Sequence, residues 1–269
     1  MFNLKQLKSL HLQKNRLLYG MFLAEGIKTV SDIMSLGYMP EVLLYTEDNN
    51  IPNIIKKHGE CVPQSAIDRI STLKTPPPVL AVFKKFYDEY QYSQEKSGIQ
   101  SNDKHDVTEL INSISGDYIL FLDDISDPGN LGTIIRTADW FGFKNIICSN
   151  NTVEMYNPKV VQATMGAIAN VNIYYVDARN FLHYCNKSGL PVLGTFMEGN
   201  DLSTFKQTPP AVIIIGNEAN GISKDLYQYL TDKISIPSYD HNGKHISESL
   251  NAAISCGIIC REFRVMRFA

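Results

Sequence analysis

The 269-residue sequence lacks long apolar runs and paired cysteines. Residues 1–15 contain no apolar segment typical of a signal peptide, and the longest late apolar stretch, residues 252–260, is too short to cross a bilayer. The five cysteines are odd in number and include no Cys-x-x-Cys pair, which argues against a disulfide framework and a zinc site. We therefore expect a soluble cytoplasmic protein with reduced thiols and no bound metal.

The common nucleotide-binding and nucleophile motifs are also missing. The chain has no GxGxxG after a predicted strand, no GxxxxGK[ST] and no GxSxG. These absences exclude the usual phosphate-binding loops of nicotinamide dehydrogenases and P-loop enzymes, and the serine nucleophile of α/β hydrolases. An enzyme with this sequence has to build its ligand site differently.

Composition and charge indicate two folded regions of different character. Apolar residues make up 44% of the chain, enough for a sizeable core. Net charge is −3, yet residues 1–87 hold eleven Lys and Arg against seven Asp and Glu, while the remainder holds fourteen against twenty-one. Residues 88–115 are polar, with few branched aliphatic side chains. We predict an N-terminal domain over 1–87, a linker over 88–115 and a second domain over 116–269.

The N-terminal region has the alternating pattern of a small α/β domain. The predicted strands are residues 21–24, 42–45 and 79–83, and the predicted helices are residues 3–19, 26–36, 51–58 and 65–72. The first helix is basic and amphipathic, with leucines between its lysines and Arg16. Its cations either contact phosphates or form an ordinary solvated helix face. The region carries no catalytic constellation of its own.

The second region opens with a strand, a loop and a helix in residues 118–142. A run of β-forming residues ends at Asp123 and Asp124, a turn follows, and a helix begins that places Arg136 away from its apolar face. Open α/β sheets bind ligands beyond the carboxyl ends of their strands, where helix amides can meet an anion. The loop is therefore a candidate ligand site. The alternative is that its aspartates only shape the turn and cap the helix, and that Arg136 is simply solvated.

Later strands alternate with helical segments, which indicates a mainly parallel, doubly wound sheet. These strands are predicted at residues 145–148, 171–176, 192–196, 211–215 and 233–236. A GxExxG pattern made by Gly216, Glu218 and Gly221 follows the fourth of them. Its glycines permit close backbone approach, and its glutamate can accept hydrogen bonds from backbone amides.

A third unusual stretch, residues 234–260, leads from a strand that ends at Pro237 through a polar loop into a helix. Ser249 or Ser247 can cap that helix. The helix is apolar on every side over residues 250–260. It therefore has to be buried, either in the core or at a subunit interface.

Taken together, the three stretches resemble the TrmH/SpoU branch of the SPOUT RNA methyltransferases. Motif 1 of that family, Asn-x-Gly-x-x-x-Arg-Thr-Ala, is matched by Asn130, Gly132, Arg136, Thr137 and Ala138. Motif 2, GxExxG, is matched by Gly216, Glu218 and Gly221. Motif 3, from Ile-Pro to Ser-Leu-Asn, is matched by Ile236, Pro237, Ser249, Leu250 and Asn251. The N-terminal region also looks like the family's small RNA-binding domain, so the resemblance covers nearly the whole chain apart from the linker.

The resemblance implies an α/β fold: a SPOUT-type doubly wound parallel sheet with a C-terminal trefoil knot, preceded by a small α/β ribosomal-protein-like RNA-binding domain. Periodicity alone does not indicate the knot, because threaded chains are very rare. The implied cofactor is S-adenosylmethionine, held largely by backbone groups near Thr195, Gly216, Ile236 and Leu250. The implied assembly is a homodimer formed through the knotted domain.

The implied reaction is methyl transfer to a ribose 2′-hydroxyl of RNA. The family assigns activation of the hydroxyl to the motif 1 arginine, which makes Arg136 the central catalytic candidate. Because guanidinium is always protonated, a substrate phosphate paired with Arg136 could take the proton. Asn130, Glu218, Ser249 and Asn251 would orient loops, cofactor and RNA, or serve as purely structural hydrogen-bonding residues.

Lys14, Arg16 and Lys159 are the candidate RNA-binding residues. Ribosomal RNA is the expected substrate because a separate recognition domain precedes the catalytic one. The alternatives are a transfer RNA methyltransferase and a non-catalytic RNA-binding protein of the same fold; a small-molecule α/β enzyme leaves the basic N-terminal region unexplained. The chain departs from the family in its longer linker and its longer loop between Pro237 and Ser249.

Overall fold

The computed structural model of the chain describes residues 3–86, 103–114, 116–239 and 249–268. Most of the predicted linker, and the loop residues 240–248 with Ser247, lie outside these ranges. The chain forms two compact units. One is Met1–Asp88 together with Glu154–Asn170, and the other is Glu89–Val153 together with Val171–Ala269.

The strands and helices of the described residues follow one another in close alternation. The strands are β1 (Met21–Glu25), β2 (Val42–Tyr45), β3 (Glu60–Cys61), β4 (Val79–Lys84), β5 (Tyr118–Leu122), β6 (Asn145–Ser149), β7 (Asn172–Val176), β8 (Val192–Asp201), β9 (Ala211–Ile215) and β10 (Asp232–Ser235). The α-helices are α1 (Leu4–Ser9), α2 (Gln13–Tyr19), α3 (Ile27–Ser35), α4 (Asn53–His58), α5 (Gln64–Ile70), α6 (Asp103–Ile114), α7 (Pro128–Trp140), α8 (Pro158–Thr164), α9 (Ala178–Lys187) and α10 (Ala252–Phe268). Short 3-10 helices occur at Ala167–Ala169 and Lys224–Tyr229.

The first unit is a mixed four-stranded sheet in the order β1-β4-β2-β3, with helices packed against it. The single helix predicted over residues 3–19 is wrong, because the chain forms α1 and α2 with a break between them. The break has an identifiable cause: the Arg16 guanidinium donates to the carbonyl oxygens of Leu10 and His11 at 2.8 and 2.9 Å. Those carbonyls are therefore satisfied by a side chain rather than by the amides of a continuing helix.

The second unit is a six-stranded sheet in the order β10-β8-β9-β5-β6-β7, and every pairing in it is parallel. The predicted parallel, doubly wound sheet is thus confirmed. The strand order reverses direction between β9 and β5, whose last residues Ile215 and Leu122 are register partners. The loops after these two strands flank the position where open α/β sheets bind their ligands.

Strand β8 leaves its partner halfway along. Gly194 pairs with Lys233, but the next pair joins Asn200 to Ile234, so residues 195–199 depart from the ladder. Gly199 returns so close to β10 that a Cβ there would lie 2.8 Å from the carbonyl oxygen of Lys233. This irregular segment, residues 195–199, lies toward the carboxyl edge of the sheet.

Helix α10 is buried on one side only. Cys256 and Phe263 are fully buried, whereas Ile254 and Ile258 are 57% and 36% exposed. Burial in the core, one of the two predicted alternatives, therefore holds only for the face that packs against α7, and the subunit-interface alternative stays a prediction for the other face. No helix within the described ranges is long and apolar enough to span a bilayer.

Candidate active site

The loops that follow β5 and β9 meet the start of α10 at one side chain, Asn130. Its Nδ2 donates to Oε1 of Glu218 at 2.7 Å, across 88 residues of sequence. Its Oδ1 accepts from Nδ2 of Asn251 at 2.9 Å, across 121 residues. The structure thus brings together one predicted site residue from each of the three unusual stretches.

The start of α7 holds Asn130 in place. The Asp127 side chain caps the helix by accepting from the backbone N–H of Asn130 at 2.8 Å, and Pro128 occupies the first helical position. Arg136 lies farther along α7 and is exposed. Trp140, one turn beyond it, is 83% exposed. The face of α7 that points to solvent therefore carries an exposed guanidinium and a large aromatic side chain.

The GxExxG loop is a closed turn organised by Asn217. Asn217 and Gly221 exchange two backbone hydrogen bonds of 3.0 and 2.9 Å, and the Asn217 Oδ1 accepts from two amides of the loop at 2.9 and 3.0 Å. The chain passes so closely that a Cβ on Gly216 would lie 2.4 Å from the carbonyl carbon of Gly221. The expected amide contacts of Glu218 need correction: Asn217 accepts from the amides, and Glu218 accepts from Asn130.

Two aspartates after β5 fasten this loop to the sheet. Asp123 is buried, and its Oδ2 accepts from the backbone N–H of Ser223 at 2.7 Å. Burial raises the pKa of the Asp123 carboxyl, and the hydrogen bonds from Ser223 oppose that rise. Asp124 adopts a φ of 57°, uncommon outside glycine, and its carbonyl accepts from Nδ2 of Asn217 at 2.7 Å. The GxExxG pattern leaves the second position open and so misses Asn217; an asparagine in a glycine-rich turn is the available signal.

The predicted cofactor-binding positions gather at the same edge of the sheet. Thr195, Gly216 and Ile236 lie at or just beyond the points where β8, β9 and β10 stop pairing with one another, and these strands are neighbours. The Thr195 hydroxyl donates to the carbonyl of Ile214 at 2.8 Å. Leu250 directly precedes Asn251, which contacts Asn130. Strand ends of this kind offer unpaired backbone donors and acceptors to a ligand.

The start of α10 corrects one further expectation. Asn251, rather than a serine, caps the helix: its Oδ1 accepts from the backbone N–H groups of Ala253 and Ile254 at 2.9 and 3.2 Å. Ser249 is exposed two residues earlier. Because the Asn251 amide both caps α10 and contacts Asn130, the helix start is fixed relative to motif 1.

The three candidate RNA-binding residues all lie in the first unit, in different settings. Lys14 and Lys159 are exposed. Arg16 is 2% exposed and forms a buried ion pair with Glu154. Its guanidinium also donates to the backbone carbonyls of Leu10 and His11. Arg16 is therefore unavailable to a phosphate, and its RNA-binding assignment is corrected to a structural role.

The site is built from amides, a carboxylate, strand-end backbone and the guanidinium of Arg136, which forms no ion pair with any residue in the described part of the chain. Such a set can hold an uncharged or zwitterionic ligand through backbone groups and an anion through Arg136. Asn130, with donor and acceptor both engaged by Glu218 and Asn251, rigidifies the place where the loops meet.

Two family models match the chain. Residues 117–261 match the model described as the SpoU rRNA Methylase family. Residues 3–81 match the MRM3-like substrate binding domain.

Individual proteins of known sequence or structure are similar over nearly the full length. A 23S rRNA (guanosine(2553)-2′-O)-methyltransferase, RlmP, of Bacillus subtilis is 24% identical over 97% of this chain and 95% of its own. A structure from Porphyromonas gingivalis, assigned to the TrmH family of RNA methyltransferases, has a TM-score of 0.76 with 32% identity and covers 98% of this chain and 99% of its own. An AdoMet-bound rRNA methyltransferase from Sinorhizobium meliloti has a TM-score of 0.78 with 27% identity, covering 97% and 94%.

Proposed function

This chain belongs to the SpoU rRNA methylase family, and from that premise we propose that it methylates a ribose 2′-hydroxyl in ribosomal RNA with S-adenosylmethionine. One observation supports this reading above the others. Asn130 joins Glu218 and Asn251, so that all three motifs of a 2′-O-methyltransferase converge beside the helix that presents Arg136. The named relatives that act on 23S rRNA support ribosomal RNA as the substrate. We propose the cytoplasm as its location, because an enzyme of this kind works on ribosomal RNA.

The residues present fit S-adenosylmethionine. The backbone groups near Thr195, Gly216, Ile236 and Leu250 would hold it: Gly216 and Ile236 directly follow β9 and β10, and Thr195 lies where β8 stops pairing with β9. The departure of residues 195–199 from the sheet and the close approach of Gly216 to Gly221 shape that edge without side chains. When bound, S-adenosylmethionine supplies an electrophilic methyl group on a sulfonium.

Arg136 is the residue we assign to the reacting hydroxyl. Its guanidinium stays charged, so it cannot itself remove a proton. It can hold the phosphate next to the target ribose, fix the hydroxyl for in-line approach and stabilise negative charge that develops on O2′, while the phosphate accepts the proton. Asn130, Glu218, Asn251 and Ser249 would orient the loops around that geometry.

Changing Asn130 to aspartate tests this orienting role. The new carboxylate would face Glu218 where Nδ2 now donates at 2.7 Å, and two carboxylates at that distance share a proton, so one pKa rises. We expect methyl transfer at neutral pH to fall by roughly ten- to a hundredfold, in line with a lost charge-assisted hydrogen bond of about 1.5–3 kcal/mol. Activity relative to wild type should recover as pH is lowered, because the protonated acid again donates to Glu218.

The measurement is a pH profile of kcat for the variant and the wild type. Asn186→Asp, which adds the same charge at an exposed position on α9, is the matched control and should follow the wild-type profile. If the Asn130→Asp variant is as active as wild type at every pH, Asn130 has no orienting role in catalysis.

A homodimer accounts for the exposed side of α10. Trp140, Leu250, Ile254 and Ile258 form what we term the α7/α10 patch, with exposures of 83%, 49%, 57% and 36%. The two helices pack together where Gly257 faces Thr137, so their outer sides adjoin. Apolar surface of this extent is typical of an interface between subunits.

Ile258→Asp is expected to convert the dimer to monomers. Each isoleucine removed from an interface costs about 1.5–3 kcal/mol, and an unpaired carboxylate adds a desolvation cost, so dimerisation should weaken by at least about a hundredfold. Sedimentation equilibrium measures this directly. Leu36→Asp, at an exposed leucine of the first unit, should remain dimeric. A dimeric Ile258→Asp variant, or a monomeric wild type, would contradict the assignment of the patch.

We also propose that the C-terminal segment is threaded as a trefoil knot. Strand β10 is the edge of the sheet, yet α10 packs on α7 and its Phe263 contacts Tyr118 of β5, with ring centroids 5.0 Å apart. The last helix therefore packs at the centre of the sheet rather than beside the edge strand that precedes it in sequence, which supports a threaded C-terminal segment.

The direct test of function has two stages. Calorimetry with S-adenosylmethionine measures binding, and transfer of tritiated methyl groups is then compared between ribosomal and transfer RNA from a strain lacking the gene. We expect binding, and transfer to ribosomal RNA. Transfer to transfer RNA alone would select the alternative substrate, and binding without transfer to either would indicate a non-catalytic protein.

A further inference from the structure

One face of the first unit carries four exposed cations. They lie on α1, on α5 and in the loop after α5, and we call this surface the α1–α5 face: Lys5, Lys8, Arg69 and Lys74. No ion pair among the described residues includes any of the four. Their charges therefore remain available to an anionic partner.

The helices α1 and α5 form one continuous surface. Leu7 of α1 and Ile67 of α5 belong to the same core cluster beneath them. A ring nitrogen of His11, just after α1, lies 2.8 Å from the carbonyl oxygen of Ile70 at the end of α5. Because the inner sides of both helices pack on the sheet, their outer sides adjoin, and the exposed Lys5, Lys8 and Arg69 belong to these outer sides.

Few carboxylates offset this charge. On α1 and α5 the only acidic residue is Asp68, whose Oδ1 accepts from Gln64 at 2.9 Å. Elsewhere in the unit, two exposed lysines are paired, Lys28 with Asp32 and Lys84 with Glu41. A cluster of unpaired cations attracts a polyanion, whereas paired cations do so much less.

Exposed apolar groups lie among the cations. Leu4 and Leu73 are 39% and 38% exposed, beside Lys5 and Lys74 in sequence. RNA offers both partners at once, since its phosphates meet cations while riboses and unstacked bases meet apolar side chains. Because this chain belongs to an rRNA methylase family, RNA is a better fit for the face than an acidic protein segment.

We propose that the α1–α5 face binds phosphates of the RNA substrate. The proposal rests on the function proposed above and specifies where the N-terminal unit engages RNA. It puts the contact on Lys5, Lys8, Arg69 and Lys74, and leaves Arg16 with its structural role.

Salt dependence of binding provides the test. Each phosphate contact contributes about 0.7–0.9 to the slope of log affinity against log salt. In the full-length chain, Lys8→Gln combined with Arg69→Gln should make the slope for a short labelled single-stranded RNA shallower by about 1.4–1.8. Between about 50 and about 200 mM salt, the variant should then lose about tenfold less affinity than wild type.

The matched control removes two lysines from another face of the same unit. Lys56→Gln combined with Lys57→Gln changes two lysines of α4. The end of α4 lies against Leu43 of β2, whereas the next residue, Leu44, belongs to the core under α1 and α5. Because successive strand residues point to opposite faces of a sheet, α4 lies on the other face from α1 and α5. This control should keep the wild-type slope and the wild-type kcat. The α1–α5 variant should keep kcat and raise KM for RNA.

The outcomes separate the two proposals. A wild-type slope in the α1–α5 variant, with methyl transfer intact, would overturn the binding face and leave the function standing. A reduced slope in the α4 control alone would overturn the α1–α5 proposal in favour of the face that carries α4. Competition by polyglutamate as effective as that by RNA would overturn it in favour of an acidic protein partner. A wild-type chain that neither binds nor methylates RNA would overturn the function itself.

Discussion

Replacing Arg136 with alanine should reduce methyl transfer by at least about a hundred- to a thousandfold, while the fold and the binding of S-adenosylmethionine are retained. The expected size is that of removing one preorganised donor from a site where negative charge develops. The side chain is exposed on α7 and takes no part in the hydrogen bonds that join Asn130 to Glu218 and Asn251, so its removal leaves these contacts in place. Single-turnover transfer of a labelled methyl group to ribosomal RNA measures the loss.

Two further variants make the Arg136 result specific. Arg136→Lys keeps the charge but loses the planar fork, and should recover only a small part of the rate. Arg179→Ala removes an exposed arginine of the same unit that pairs with Asp225, and should turn over like wild type. Wild-type turnover in Arg136→Ala would show that the role given to this arginine is wrong.

Much of the second unit follows from local sequence. The runs at residues 118–122 and 211–215 are apolar throughout and end in turn formers, which identifies fully buried parallel strands. Both predictions coincide with β5 and β9. The sequence does not predict that these two strands are neighbours. In the structure they are, so the loops after them lie close together and Asn130 meets Glu218 at one edge of the sheet.

Local sequence patterns do not reveal contacts between residues that are far apart in the chain. The basic spacing of residues 3–19 predicts one helix, yet Arg16 turns inward because Glu154, 138 residues later, provides a buried carboxylate. The same non-locality hides one contact of Asn217, whose Nδ2 donates to the carbonyl of Asp124, 93 residues earlier. A periodic pattern indicates which face of a helix is apolar, but it does not indicate which polar side chain will be buried against a partner far away in the sequence.

The first unit also depends on a segment that belongs to the other half of the sequence. Glu154–Asn170 lies in the connection between β6 and β7, but it is part of the first unit. Tyr156 in this segment is buried, with its ring centroid 4.7 Å from that of Phe22, and its hydroxyl accepts from the backbone N–H of Phe86 at 2.9 Å. The segment therefore supplies core as well as charge to the N-terminal sheet.

Replacing Glu154 with alanine should destabilise the first unit by about 3–5 kcal/mol, because it leaves the buried Arg16 guanidinium without a counter-charge. Glu41→Ala, which breaks the exposed pair with Lys84, should cost at most about 1 kcal/mol. Urea unfolding gives the loss, and hydrogen exchange of peptides from β1 and α8 locates it in this unit. Combining Arg16→Met with Glu154→Leu should restore part of the stability, because the double change removes both charges but leaves the carbonyls of Leu10 and His11 without their Arg16 donors. A Glu154→Ala variant as stable as Glu41→Ala would mean that water reaches Arg16, and that the ion pair does not hold Glu154–Asn170 to the N-terminal sheet.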